Sequence, residues 1–348
     1  MNPWLGILLH AVGGFAAASF TIPFRKIRGW AWESYWLASG VSAWLAAPWI
    51  VALLTVPGLA GALRDAPASS LAWSYFFGLL WGVGGLTFGL TMRYLGMSLG
   101  YALALGNTAA FGTIIPPIYF GKIGGLLATT SGKVTLAGVV LGLLGIAAAG
   151  AAGMAKEKRL SAAEKKASIL EFDFRKGFFI ALLSGVMSAC FAFGIAAGKP
   201  IAERALAAGA PPLWQNGPVF IVILAGGFTT NMLWCLLLFR RNKSARNYTD
   251  RRTPILRNLF FSAAAGTTWY LQFMFYGMGT TKMGRYDFSS WSIHMTFIIV
   301  FSTLWGLAFR EWRGSTRKVY GLIASAILVL ILSTIVIGGG NYLASRGR

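Results

Sequence analysis

The sequence predicts an all-α polytopic membrane protein, with ten transmembrane helices arranged as two inverted five-helix repeats and both termini outside. Three observations carry this expectation. Of 348 residues, 56% are hydrophobic and only 12% are charged, about half the charge of a typical soluble domain. Apolar runs of about 20 residues, enough to cross a bilayer as a helix, recur along the whole chain and leave no room for a separate soluble domain. The 31 Lys and Arg residues stand in short clusters between those runs. In a soluble protein a net charge of +21 would suggest nucleic acid. Here no nucleic-acid partner is expected, because the clusters set topology and meet anionic membrane lipid.

The expected spans are Trp4–Phe24, Ser34–Val56, Leu71–Met92, Gly96–Phe120, Val134–Met154, Gly177–Lys199, Leu213–Phe239, Leu259–Gly279, Asp287–Phe309 and Tyr320–Gly340. The first lacks the basic start and small-residue cleavage site of a signal peptide and is read as retained. Loops after the odd-numbered spans carry 22 Lys and Arg, those after the even-numbered spans 7, and the tail the remaining two. Cytoplasmic loops hold the Lys/Arg excess, which puts the odd loops inside and both ends of the chain outside. The basic segment 156–176 then separates a first repeat, residues 1–155, from a second, residues 177–348. Five spans per half force the second half to insert upside down, the plan of many transporters. Phe76, Phe77 and Gly82 recur as Phe260, Phe261 and Gly266, and Gly6, Gly14, Ala18 and Phe20 as Gly177, Gly185, Ala189 and Phe191.

Small residues four apart, at Gly78/Gly82, Gly85/Gly89 and Gly138/Gly142, predict close helix packing within one bundle rather than a dimer seam. Pro116 and Pro117 predict a kink in the fourth span. The two cysteines, Cys190 and Cys235, lie in apolar spans and offer neither metal-ligand spacing nor a disulfide framework. No metal site and no cofactor motif is expected.

The stretch Gly266–Phe297 reads as two spans joined by a turn at Gly279–Gly284, and it holds groups that a bilayer tolerates poorly. Trp269 and Gln272 stand one turn apart beside Tyr270, and Asp287, Trp291 and His294 form one stripe on the next helix. Trp269 and Tyr270 lie about 15 Å into their span, too deep for an interfacial belt. Polar groups at membrane depth face a bundle interior or a water-filled cavity, so the stretch predicts the wall of a small-molecule site. His10 and His294, the only histidines, are candidates for the same site. The plainer reading is a neutral histidine bonded to a neighbouring helix. Asn107 lies at midspan, where an interhelical hydrogen bond is the structural alternative. Glu33, near Arg25, Lys26 and Arg28, is a candidate carboxylate whose plainer reading is a solvated cap or ion pair. Arg93 and Tyr94 read as the end of a span, where Arg can snorkel.

The blocks GILLHAVGGFAAASFTIPFRKIRGWAWESYW, WLAAPW, WGVGGLTFGLTMRYLGMSLG, WYLQFMFYGMG, RYDFSSWSIHMTF and GLAFREW follow one another along nearly the whole chain. In these blocks the sequence resembles the L-rhamnose–proton symporter family of the drug/metabolite transporter superfamily. The resemblance departs most in the loops and at Ala104–Ala110. It implies a transporter rather than an enzyme, taking up a 6-deoxy sugar with a proton across the bacterial inner membrane. For such a sugar, Gln272, Trp269, Tyr270, Trp291, His294, His10 and Asn107 are the expected binding groups. They supply flat aromatic faces for C–H surfaces and polar groups for hydroxyls. His294, Asp287, His10 and Glu33 are the expected proton-coupling groups. The alternative is an exporter or exchanger of another small metabolite on the same scaffold. An intramembrane enzyme would need a nucleophile motif or metal cluster that the chain lacks.

Overall fold

In lipid a chain must satisfy its backbone groups internally, and this one does so with helices. The computed structural model describes residues 2–119, 121–157 and 173–346, and among these there is no strand. The helices are α1 (Pro3–Ser19), α2 (Trp32–Gly40), α3 (Ala47–Thr55), α4 (Leu59–Arg64), α5 (Ala68–Tyr119), α6 (Ile123–Ala128), α7 (Thr130–Glu157), α8 (Phe174–Ala197), α9 (Lys199–Ala207), α10 (Gly217–Asn242), α11 (Ile255–Met283), α12 (Ser289–Ala308) and α13 (Arg317–Arg346). A π-helical turn, Val41–Ala46, joins α2 to α3. Most of the basic segment 156–176 lies outside the described residues.

Among the described residues, eight helical stretches are long and apolar enough to cross a membrane. The expected spans Gly96–Phe120 and Leu259–Gly279 are not among them, though their described residues are helical. Asn107, Thr108, Thr113 and two prolines dilute the first, and Thr267, Thr268, Trp269, Tyr270 and Gln272 the second.

Three expectations of local structure are corrected. The residues expected to break the chain between the third and fourth spans are helical, within one 52-residue stretch, but the chain still reverses there: Gly84 packs on Ser188 and Asn107 on Gly185, at one level of α8, whereas Leu95 lies against Gly177 at its start. TMRYLGMSLG contains no proline, and glycine in a helix costs only about 1 kcal/mol. Pro116 and Pro117 fall in the last turn of α5, so they end the helix instead of kinking its middle. Lys122 N–H then closes onto the Pro117 carbonyl at 2.7 Å, with Gly121 in the left-handed region at φ 66°. The turn expected at Gly279–Gly284 is also displaced. Helix α11 continues to Met283, and the break comes at Gly284, whose φ of 70° a side chain would resist.

The chain forms two compact units, each built from both halves of the sequence. The first comprises Met1–Phe15, Gly84–Ala189 and Gly279–Arg348. Its axis is the pairing of α7 with α13. Gly138 and Gly340 let the two backbones approach, and Ser333 Oγ donates to the Gly138 carbonyl at 2.8 Å. Val139, Met283, Ile293 and Ile337 form the apolar core beside that contact.

The second unit comprises Ala16–Val83 and Cys190–Met278. Here α10 lies directly on the first part of α5. A Cβ at Gly78 would overlap the Ile223 carbonyl, and one at Gly226 the Tyr75 carbonyl. Thr230 Oγ1 donates to the Leu79 carbonyl at 2.9 Å along the same seam. By contrast, nothing among the described residues lies within 4 Å of where a Cβ would sit at Gly85 or Gly89.

Candidate functional site

In the second unit, α11 carries Trp269, Tyr270 and Gln272. Tyr270 and Gln272 are buried and Trp269 is half-buried. Trp269 is the hub of an aromatic cluster. Phe20 stacks on its indole with centroids 4.6 Å apart and an interplanar angle of 18°. Trp44 and Trp36 meet it at 5.0 and 5.2 Å and at steep angles, and Trp81 stands at 6.4 Å. The cluster extends through Trp81 and Phe191 to Phe273. Flat apolar faces next to a buried primary amide suit a ligand with C–H faces and hydroxyl rims.

The π-helical turn fixes one wall of this cluster. Ser42 Oγ donates to the Ala263 carbonyl at 3.1 Å and pairs with Thr267 Oγ1 at 2.9 Å. The Ser39 carbonyl lies so close to Gly266 that any Cβ there would overlap it. The wide turn is therefore clamped to α11 one turn before Trp269. Trp36 Nε1 donates to Asn231 Oδ1 at 3.0 Å. Trp44 Nε1 and Ser39 Oγ, both fully buried, have no hydrogen-bond partner among the described residues.

Glu33, at the start of α2, is buried, with 3% exposure. Its carboxylate accepts from Asn242 Nδ2 at 3.0 Å and from Ser244 Oγ. Among the described residues it makes no ion pair, so neither the solvated cap nor the pair with Arg25, Lys26 or Arg28 forms. Tyr248 OH donates to the neighbouring Ser34 carbonyl at 2.7 Å, and burial pushes that phenol up to about 12. It remains a donor at any working pH. In the adjoining loop Arg252 grips Asp250 through two 2.9 Å hydrogen bonds and holds its carboxyl down at about 2. Asp250 is thus ionised throughout the neutral range and supplies no pH dependence there.

The first unit brings the two histidines together. His10 on α1 is fully buried and His294 on α12 is 2% exposed. Their rings meet edge to face with centroids 6.2 Å apart. Gly279 makes room for the pair, since a Cβ there would lie 2.7 Å from His10 Cε1. Trp291, one turn before His294, donates its Nε1–H to the Thr108 carbonyl at 2.9 Å, and its ring covers Gly112. That bond fixes α12 against the later part of α5. Asn107 packs its Cβ onto Gly185 of α8. Asp287 precedes α12 with its backbone already in the right-handed helical region. It lies in the turn before α12, where its carbonyl accepts from Ser290 N–H at 3.0 Å. Thr113 Oγ1, Ser290 Oγ, Thr296 Oγ1 and Asn341 Oδ1 are buried without a partner among the described residues.

Sequence reasoning missed Trp36, Trp44 and Trp81 in the second unit and these hydroxyls in the first. Trp30, Trp32, Trp36 and Trp44 within fifteen residues exceed what an interfacial belt needs, and that density was the available signal. The hydroxyls gave none, because Ser and Thr are routine in membrane helices.

Apolar helices of spanning length with imidazoles, amides and indoles turned into their interiors are what a multi-span membrane protein presents. The chain belongs to the L-rhamnose-proton symport protein family, whose model matches residues 2–343. It is 37% identical over 340 residues to an L-rhamnose-proton symporter of Cronobacter sakazakii, covering 97% of each chain. It is 36% identical over the same length and coverage to L-rhamnose-proton symporters of Yersinia pestis and Yersinia pseudotuberculosis. The family is one of transporters, not enzymes.

Proposed function

We propose that this protein carries L-rhamnose, or a closely related 6-deoxy sugar, into the cell with a proton across the bacterial inner membrane. The observation that carries this reading is similarity over 97% of the chain to proteins named for that transport. In the proposed arrangement the chain crosses the bilayer ten times as two inverted repeats, residues 1–155 and 177–348, joined by a cytoplasmic linker. Helix α5 supplies the third and fourth crossings, since its 52 residues are more than twice the about 20 that one crossing needs and it doubles back near Leu95. Trp269, Tyr270 and Gln272 bind sugar. His294 carries the proton, with His10 beside it and Glu33 as the buried carboxylate that could share the task. Asp287, just before α12, is the remaining carboxylate of the proposed coupling set. Proteoliposome uptake driven by an imposed pH gradient, measured for a panel of deoxy and ordinary hexoses, tests the reading. L-Rhamnose left outside while another solute is carried would overturn it.

Orientation is checked by labelling. With Cys190 and Cys235 replaced, a cysteine at exposed Asp65 is expected to react with a membrane-impermeant thiol reagent in intact cells. One at exposed Arg251 is expected to stay unlabelled until the cells are opened. The reverse pattern would invert the topology.

For the sugar, Gln272→Leu is expected to raise KM roughly ten- to a hundredfold, because sugar hydroxyls would be desolvated and left unpaired. Gln272→Asn should cost less. An unchanged KM in the leucine variant removes Gln272 from the site.

A further inference from the structure

We infer that Trp44 Nε1 and Ser39 Oγ are hydrogen-bonding partners of the transported sugar's hydroxyls and set which hydroxyl pattern is accepted. The inference rests on the sugar-transport reading above and deepens it.

The hydrogen bonding of the tryptophan cluster is unbalanced. Trp36, Trp44 and Trp269 meet in one cluster, yet their polar edges are treated differently. The Trp36 N–H is satisfied by Asn231 at 3.0 Å. The Trp44 N–H is sealed from solvent, with the residue 1% exposed, and donates to nothing among the described residues. Ser39, also 1% exposed, has an unpaired hydroxyl on the same wall. Buried donors without partners are rare and carry the full penalty of lost hydration. A phenylalanine at position 44 would keep the apolar ring and avoid the penalty. The indole is therefore explained by a partner that arrives and leaves.

Position narrows what that partner is. The Trp44 ring stands 5.0 Å from Trp269 and 6.1 Å from both Trp36 and Trp81. An N–H beside a cluster of aromatic faces meets a hydroxyl whose neighbours are C–H groups, the surface of a deoxyhexose. A cation would be repelled by a donor. A purely apolar solute would leave the N–H unpaired. The Ser39 hydroxyl can donate or accept, so it can pair with a second hydroxyl whichever way that group is turned. Clamping of the π-helical turn to Ala263, Gly266 and Thr267 holds both groups in place. The rings must part to admit sugar, and Phe20, stacked over Trp269, is the one whose departure uncovers an indole face.

The test is a cycle of variant against substrate. Trp44→Phe and Ser39→Ala are made separately, and KM is measured in proteoliposomes for L-rhamnose and for its 2-, 3- and 4-deoxy analogues. Trp44→Phe is expected to raise KM for L-rhamnose on the order of tenfold. For the one analogue lacking the hydroxyl that Trp44 serves, wild type and variant should differ little. Thermal stability should be unchanged or higher, because an unpaired buried donor has been removed. Ser39→Ala should show its own selective loss on a different analogue, and it decides the matter if Trp44→Phe fails to fold. A factor equal across all four sugars would mean ring packing only and overturn the inference, as would no change for L-rhamnose. A wild type that carries none of the four defeats the sugar-transport reading itself, and the inference with it.

Discussion

His294→Gln is expected to abolish accumulation while leaving exchange. In proteoliposomes with an inward proton gradient, the variant should bring internal sugar only to about the external concentration, since a carrier without coupling equilibrates its substrate. Counterflow, which needs no net proton movement, should persist. Imidazole is the side chain whose ordinary titration falls near neutrality, and His294 is shielded from water and faces a second imidazole 6.2 Å away. Charging both rings at that separation is unfavourable, so the pair would hold at most one proton. Glutamine keeps hydrogen-bonding capacity without the titration. If the variant still concentrates sugar with the normal pH profile, His294 is not the carrier. Glu33→Gln then becomes the decisive variant, because Glu33 is the other buried titratable group held only by neutral donors.

The largest structural effect is expected at the α5–α10 seam. Gly226→Leu would drive a side chain into the Tyr75 carbonyl and the Leu79 amide, which are backbone and cannot swing aside. Overpacking of a fitted core costs about 1–3 kcal/mol even where side chains can move, and here they are not the obstacle. The variant should lose its monodisperse peak in detergent or melt well below wild type. Gly85→Leu, where nothing among the described residues lies within 4 Å of the new Cβ, is the control. Equal Tm values for the two variants would discard the seam as a determinant of stability.

Much of the helical content was legible because a bilayer makes apolar length nearly sufficient evidence for a helix. Legibility failed at glycines and at the ends of elements. Gly279 reads as a turn residue, but its missing side chain serves the His10 ring, and the helix passes through it. Gly284 looks no different in sequence, yet it takes the left-handed conformation and ends α11. Glu33 misled in another way. Three nearby cations suggest an ion pair, whereas the partners that reach it, Asn242 and Ser244, are more than 200 residues away. The pairing of His10 with His294 was likewise beyond local pattern, since it joins α1 to α12.

The π-helical turn at Val41–Ala46 changes what kind of mutation this part of the chain can absorb. The turn precedes Pro48, which has no N–H to give back to the Trp44 carbonyl, and a wider hydrogen-bonded ring takes up one residue more than an α-turn would. Phase is thereby stored in the count of residues rather than in their identity. Exchanging one side chain for another between Val41 and Ala46 leaves the count intact and the Trp44 indole on its wall. Deleting a single residue there would wind the segment back to regular pitch. Because the wide ring is what absorbs the extra residue, α3 would keep its phase, and a one-residue loss would be felt inside the turn, where Trp44 sits.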